Sequence, residues 1–272
     1  MAAADHPAFS SRFSTLLCAA PAEHVLQVTL DRPAVGNAMN TEMGRELHRL
    51  WTLLTEEAGD IRCVVLTGSG GRIFCAGADL KERHGMSAES WHRQHEIFER
   101  ACDALTDLPI PVIAAVNGHA YAGGLEMVLA CDFAYGSRDA RFALTEVTLG
   151  IMPGTGGTQN LPRAAGERRA KEILLTGLPF DADQALTWGV LNALFPPGEV
   201  VTEAVRTASR IAGNAPLAVR QIKKSVRHGM QTDLRTALRF EVEAYNRLID
   251  TDDRREGVSA FNEKRPPRFT GR

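Results

Sequence analysis

Short β-branched runs alternate with longer stretches of helical spacing through the first two thirds of this chain, and that alternation narrows the fold more than any other feature. Residues 24–30 alternate apolar and polar side chains and stop at Asp31-Arg32-Pro33, the pattern of a strand entering a turn. Met43, Leu47, Leu50, Trp51 and Leu54 then recur at helical spacing across residues 41–55, with Thr41 as the expected cap. Residues 61–66 and 112–116 read as buried strands, closed by glycine-rich turns at 67–71 and 117–118. Between them, the turn-rich segment 74–79 opens a polar helical stretch that runs to Thr106. Strands separated by helices need crossover connections, so a largely parallel sheet is expected.

After Glu199 the pattern changes. Residues 200–214, 216–229 and 234–250 read as amphipathic helices, with a fourth over 253–264 before Pro266-Pro267. The organisation expected is a poorly ordered leader over 1–20, a core domain over 21–198 and a helical region over 199–272. That last region has enough apolar positions to cover the core, a site or a sister subunit. The 272 residues carry a formal net charge of −2, which argues against phosphate-driven binding to nucleic acid. No apolar run approaches the roughly 20 residues a membrane-spanning helix needs. Cys18, Cys63, Cys75, Cys102 and Cys131 are odd in number and form no CxxC, which fits reduced thiols in a cytoplasmic protein.

The familiar nucleotide and hydrolase signatures are missing: there is no GxxxxGK[ST], no GxGxxG, no GxSxG and no HExxH. His92, His95, Glu96 and Glu99 share a helical stretch and read as a solvated polar face rather than a metal site. Three segments concentrate glycine beside small residues and an isolated acid: 74–80, 117–126, and Glu146 followed by 149–158. Small residues let a ligand approach the backbone, and free N–H groups at a helix start favour negative charge. Two such loops can each donate one N–H to a carbonyl oxygen, forming an oxyanion hole; taken singly, each reads first as a tight turn or a packing site. Glu126 sits in the first turn of an apolar helix, and Glu146 lies between Phe142-Ala143-Leu144 and Val147. Isolated acids in such surroundings are paired, shifted in pKa or functional, because burying a bare charge is expensive. A helix-capping acid and a surface acid are the plainer alternatives.

Together the segments resemble the enoyl-CoA hydratase/isomerase (crotonase) superfamily over essentially the whole chain. FCAGADLKER at 74–83, AVNGHAYAGGLEMVLACD at 115–132 and GIMPGTGGTQNLPR at 150–163 stand in the family's order and spacing, as does the tail through Phe261 and Lys264-Arg265. The resemblance implies an α/β fold, a crotonase-like core of repeated ββα units with a C-terminal helical region, assembled as trimers or pairs of trimers. It assigns the thioester oxygen to the N–H groups of Ala78 and Gly123. Glu126 becomes the base toward water and Glu146 the proton donor to the thioester's α-carbon. It implies CoA or substrate contacts at Ala34, Val35, Gly36, Ala76, Gly77, Asp79, Leu80, Lys81, Tyr121 and Gly124. Phe261 and Lys264 would reach the CoA nucleotide from a neighbouring subunit. No cofactor is implied beyond the CoA that the substrate carries, and no membrane or nucleic-acid partner.

Both glutamates are kept, which favours hydration over double-bond isomerisation or thioester hydrolysis on the same fold, and over a non-catalytic or RNA-associated homologue. Ala122 stands where many members have a third glycine, and Ala34 where a basic residue is common. The wording around 76–83 and 123–132 leans toward the methylglutaconyl-CoA hydratase-like branch. Met86, Trp91 and Phe98 are expected to wall a pocket for an acyl group of about four to six carbons. Arg83, His84 or Arg93 would instead receive a second substrate carboxylate, and a wet helix face is the third alternative.

Overall fold

A computed structural model of the chain describes residues 6–10 and 13–272. After a short turn of helix, α1 (Pro7–Ser10), pairs of strands lead repeatedly into helices. Strands β1 (Leu16–Ala22) and β2 (Val25–Leu30) precede α2 (Thr41–Glu56). Strands β3 (Cys63–Gly68) and β4 (Ile73–Cys75) precede α3 (Leu80–Arg83) and α4 (Ala88–Asp107). Strands β5 (Val112–Val116) and β6 (His119–Tyr121) precede α5 (Gly123–Ala130). Strands β7 (Phe133–Ser137) and β8 (Arg141–Ala143) precede a 3₁₀ turn at Glu146–Leu149, then α6 (Gly157–Ala165) and α7 (Glu167–Thr176). The chain continues through β9 (Phe180–Asp181), α8 (Ala182–Thr187) and β10 (Ala193–Phe195) to α9 (Val200–Ala212), α10 (Pro216–Gly229), α11 (Leu234–Ile249) and α12 (Asp252–Glu263). The repeated ββα units expected from the resemblance are present.

In three of the units the two strands separate. The first enters a six-stranded sheet of order β1-β2-β3-β5-β7-β10, which is parallel except for the β1–β2 pair. The second enters a small sheet of order β4-β6-β8-β9. Both faces of the large sheet are covered, and the two-residue period of a strand divides its side chains between them. Val64, Leu66, Val112, Ala114 and Val116 join the main core with α2 and α4, while Cys63, Val65, Ile113 and Ala115 pack against α9. Ala204, Ala208 and Ala212 repeat every four residues along α9, so its backbone lies close to the strands. Each fully buried Val, Leu or Ile on these faces contributes roughly 1.5–3 kcal/mol.

Several expectations change. The leader over 1–20 does not extend into residues 16–20, which belong to a strand: Leu16 is buried and pairs with Leu30. The buried carboxylate of Glu46 anchors that strand by accepting from the N–H groups of Ser14 (2.6 Å) and Thr15 (2.9 Å). The leader expectation for residues 1–5 and 11–12 lies outside the described residues. Asn40, not Thr41, caps α2, its side chain accepting from Met43 N–H at 2.9 Å. The stretch 80–106 is two helices, because His84 leaves helical conformation and Gly85 takes φ +76°. Since α9 is core, the helices that stand outside it begin after residue 212 rather than at 198. Helices α10 and α11 pack on each other and expose Ile222, Val226, Leu238, Val242 and Tyr245, with Met230 exposed just past the end of α10. Among the described residues no helix is long and apolar enough to cross a membrane.

Candidate active site

The small sheet sets the site's geometry. Strands β4, β6 and β8 are parallel neighbours, so their C-terminal ends open on the same edge. Three chain segments far apart in sequence therefore emerge side by side: 76–79 after β4, 122–126 after β6, and 144–146 after β8. Ligands of open α/β sheets favour such strand ends. Two glycines make the approach possible. A Cβ on Gly124 would lie 2.2 Å from the carbonyl oxygen of Cys75, so only glycine lets α5 rest on β4. Gly77 has φ +90°, and a Cβ there would lie 2.7 Å from the Ala122 methyl and 3.1 Å from the Tyr121 carbonyl oxygen. Ala122 itself holds φ 49° and ψ −128°, a conformation glycine takes freely and alanine does not.

That packing turns two backbone N–H groups outward. On either side of Ala78, the Gly77 carbonyl accepts from Met39 N–H and the Asp79 N–H donates to the Met39 carbonyl, and α5 begins at Gly123. Neither the Ala78 nor the Gly123 N–H donates to an acceptor among the described residues. Both residues line a cavity of about 380 Å³, together with Met39, Leu80, Glu126 and Glu146.

The two glutamates differ in their surroundings. Glu126 is buried, and its Oε1 accepts from the N–H groups of Thr155 and Gly157, each at 2.8 Å. These donors come from the loop before α6 and its first residue, where a Cβ on Gly157 would lie 3.0 Å from that same oxygen; the neighbouring Gly156 takes φ +110°. Glu146, also buried, begins the 3₁₀ turn, and its Oε2 has no hydrogen-bond partner among the described residues. Burial pushes its pKa up to about 7, and the nearby Glu126 charge adds to the rise. One cavity thus presents a carboxylate fixed by two donors and an acid held near its midpoint at neutral pH.

A family model described as enoyl-CoA hydratase/isomerase matches residues 21–272. The chain belongs to that family. Among its relatives, the short-chain-enoyl-CoA hydratase of Clostridium acetobutylicum is 39% identical over 89% of this chain and 92% of its own length. The 2,3-dehydroadipyl-CoA hydratase of Escherichia coli is 38% identical over 92% and 96%. The crystal structure of an enoyl-CoA hydratase from Bacillus anthracis superposes with a TM-score of 0.93 at 41% identity, covering 95% of this chain and all of that one.

In this enoyl-CoA hydratase/isomerase family member, Ala76, Ala78, Leu80, Gly123, Glu126 and Glu146 line one cavity. Ala34, Val35 and Gly36 form a turn beside it, joined to the site where the Gly36 carbonyl accepts from Ala76 N–H at 3.0 Å. Asp79 faces away, its carboxylate paired with Arg32 at 2.9 Å and capping α3. Lys81, Tyr121, Gly77 and Gly124 are not part of the cavity wall. Phe261 and Lys264, on α12 and its end, are also outside it, with Phe261 84% exposed. Of the expected acyl-pocket residues, Trp91, Phe98 and Arg83 line the cavity and Met86 does not. His92 and His95, expected on a solvated face, line it too. No cluster fit to hold a metal occurs among the described residues. Gly154 makes room for His95, since a Cβ there would lie 2.4 Å from the imidazole.

Proposed function

We propose that the protein adds water across the 2,3 double bond of a 2-enoyl-CoA thioester, with a short or branched acyl group of about four to six carbons. The observation that carries this reading is the contrast between two glutamates in one cavity. Glu126 accepts two N–H bonds at one oxygen and is suited to take a proton from water. Glu146 keeps its proton to about pH 7 and is suited to give one up. In the step proposed, the water oxygen bonds to C3 as its proton passes to Glu126. The π electrons move through C2 onto the thioester oxygen, which the Ala78 and Gly123 N–H groups hold as an enolate. Glu146 then protonates C2, giving the 3-hydroxyacyl thioester, and solvent returns both acids to their starting states. Two opposed acids favour hydration over isomerisation, in which one group can carry the proton between carbons.

CoA itself would run along the 34–36 turn and the 76–81 segment. Phe261 and Lys264 would meet it only from another subunit, in keeping with a trimer or a dimer of trimers built on the apolar faces of α10 and α11. The five free cysteines suit a cytoplasmic protein. Light scattering at micromolar concentration is expected to give three or six chains, and a stable monomer would remove the role of Phe261 and Lys264.

Purified protein is expected to bleach the conjugated absorbance of crotonyl-CoA and produce 3-hydroxybutyryl-CoA; no turnover of this ester or of glutaconyl-CoA would overturn the assignment. The reaction also has a predicted pH signature. Because the folded pKa of Glu146 is raised and the neutral form is the donor, kcat/KM should be retained below neutrality and fall as pH rises through about 7. A profile flat from pH 6 to 9 would show that this acid does not supply the proton.

A further inference from the structure

Arg83 is the one arginine or lysine among the described residues that line the cavity. It is buried, and its guanidinium carbon lies 4.2 Å from the centre of the Trp91 ring and 5.5 Å from that of Phe98. Its Nε donates to Gln94 Oε1 at 2.8 Å, which fixes the plane of the group. Gln94 is held in turn, donating to Thr41 Oγ1 and Glu82 Oε2, each at 2.8 Å. The neighbouring Glu82 is therefore turned away, and it also accepts from Thr41 N–H at 2.9 Å. Arg83 forms no ion pair among the described residues, although Arg93, on the outer face of α4, pairs with Glu89 at 2.6 Å. His84 is exposed and is not part of the cavity wall.

Glu82 acts on Arg83 only through its charge and through Gln94, not as an ion pair, and a buried guanidinium whose terminal nitrogens lack an anionic partner is costly unless something completes it. Burial pulls its pKa below the ordinary arginine value and the Glu82 charge opposes that shift; a guanidinium is charged at neutral pH in proteins. The two terminal nitrogens form a fork suited to a carboxylate. The aromatic walls exclude water and strengthen such a contact. Building on the thioester-hydratase reading, we propose that Arg83 binds a second carboxylate at the far end of the acyl group, so that the preferred substrates are CoA monothioesters of short unsaturated dicarboxylic acids.

The discriminating measurement is calorimetric binding of two saturated esters that cannot be hydrated: glutaryl-CoA and its neutral isostere 5-methylhexanoyl-CoA. Wild-type protein is expected to bind glutaryl-CoA about ten- to a hundredfold more tightly, the range for a charge-assisted pair out of water. Arg83→Met should abolish or reverse that ratio, and Arg83→Lys should keep part of it, since an ammonium supplies charge without the fork. Equal or weaker binding of glutaryl-CoA by the wild type would overturn the proposal, as would an undiminished ratio in Arg83→Met. Should Arg83→Met not fold, the wild-type ratio still decides. Turnover of crotonyl-CoA and glutaconyl-CoA by the wild type tests hydration separately: absence of both would remove the hydratase reading without touching the ratio.

Discussion

Glu126→Gln and Glu146→Gln are each expected to lower kcat for crotonyl-CoA hydration by about 10² to 10⁴, the usual worth of a positioned acid or base. The change keeps the shape of the side chain. In Glu126→Gln the amide oxygen can still accept from Thr155 and Gly157, so the loop before α6 should stay in place. In Glu146→Gln a buried oxygen without a partner is replaced by a neutral amide, so the fold loses no bond. Binding of butyryl-CoA should stay within a few-fold of wild type in both. Wild-type turnover by either variant would strip that residue of its role.

The second large effect is at the proposed oxyanion hole. Gly123→Pro removes one N–H donor, and the loss of such a donor typically costs about 10² to 10³ in kcat. Gly123 is the first residue of α5, a helical position that tolerates proline, and a Cβ there meets nothing nearer than 3.8 Å. Proline also restricts the residue before it, and Ala122 stands at φ 49°, so circular dichroism must show a native fold before the rate is read. A folded Gly123→Pro protein with full activity would remove this N–H from the mechanism.

The fold was legible where a helical period is long or an apolar run is closed by turn residues. Val112–Val116 and Pro216–Gly229 have the bounds the sequence pattern indicates; β3 and β5 are continuous apolar runs closed by glycine-rich turns, and α9 is long enough to show a helical period. The small sheet was not legible. Strands β4, β6 and β8 have three residues each and β9 two, too few to alternate, and they are recognisable only once their neighbours are placed. Strand β1, Leu-Leu-Cys-Ala-Ala-Pro-Ala, has no alternation and contains Pro21, so nothing local separates it from a loose leader.

At the site, Glu126 and Glu146 stood out because an acid among apolar residues needs a reason. What holds Glu126 did not stand out: its donors are backbone groups of Thr155 and Gly157, and backbone carries no sequence label. Arg83 was one of three basic candidates in a polar stretch. Sequence could not separate them, since which face of a short helix turns inward depends on the break at residues 84–87. Trp91, Gln94 and Phe98 face it at helical spacing, a signal available in the sequence but indistinguishable there from ordinary amphipathicity.

The central claim is the division of labour between the two acids, with Glu126 acting on water and Glu146 on C2. It is tested most directly by exchange of the C2 hydrogens of butyryl-CoA in deuterium oxide at pH 8, above the value near 7 at which Glu146 loses its proton. No water is added to this saturated ester, so exchange reads only the group that faces C2. Wild type and Glu126→Gln are predicted to incorporate deuterium at C2, and Glu146→Gln to leave the ester unlabelled. Labelling by Glu146→Gln together with its loss in Glu126→Gln would reverse the two roles and contradict the account.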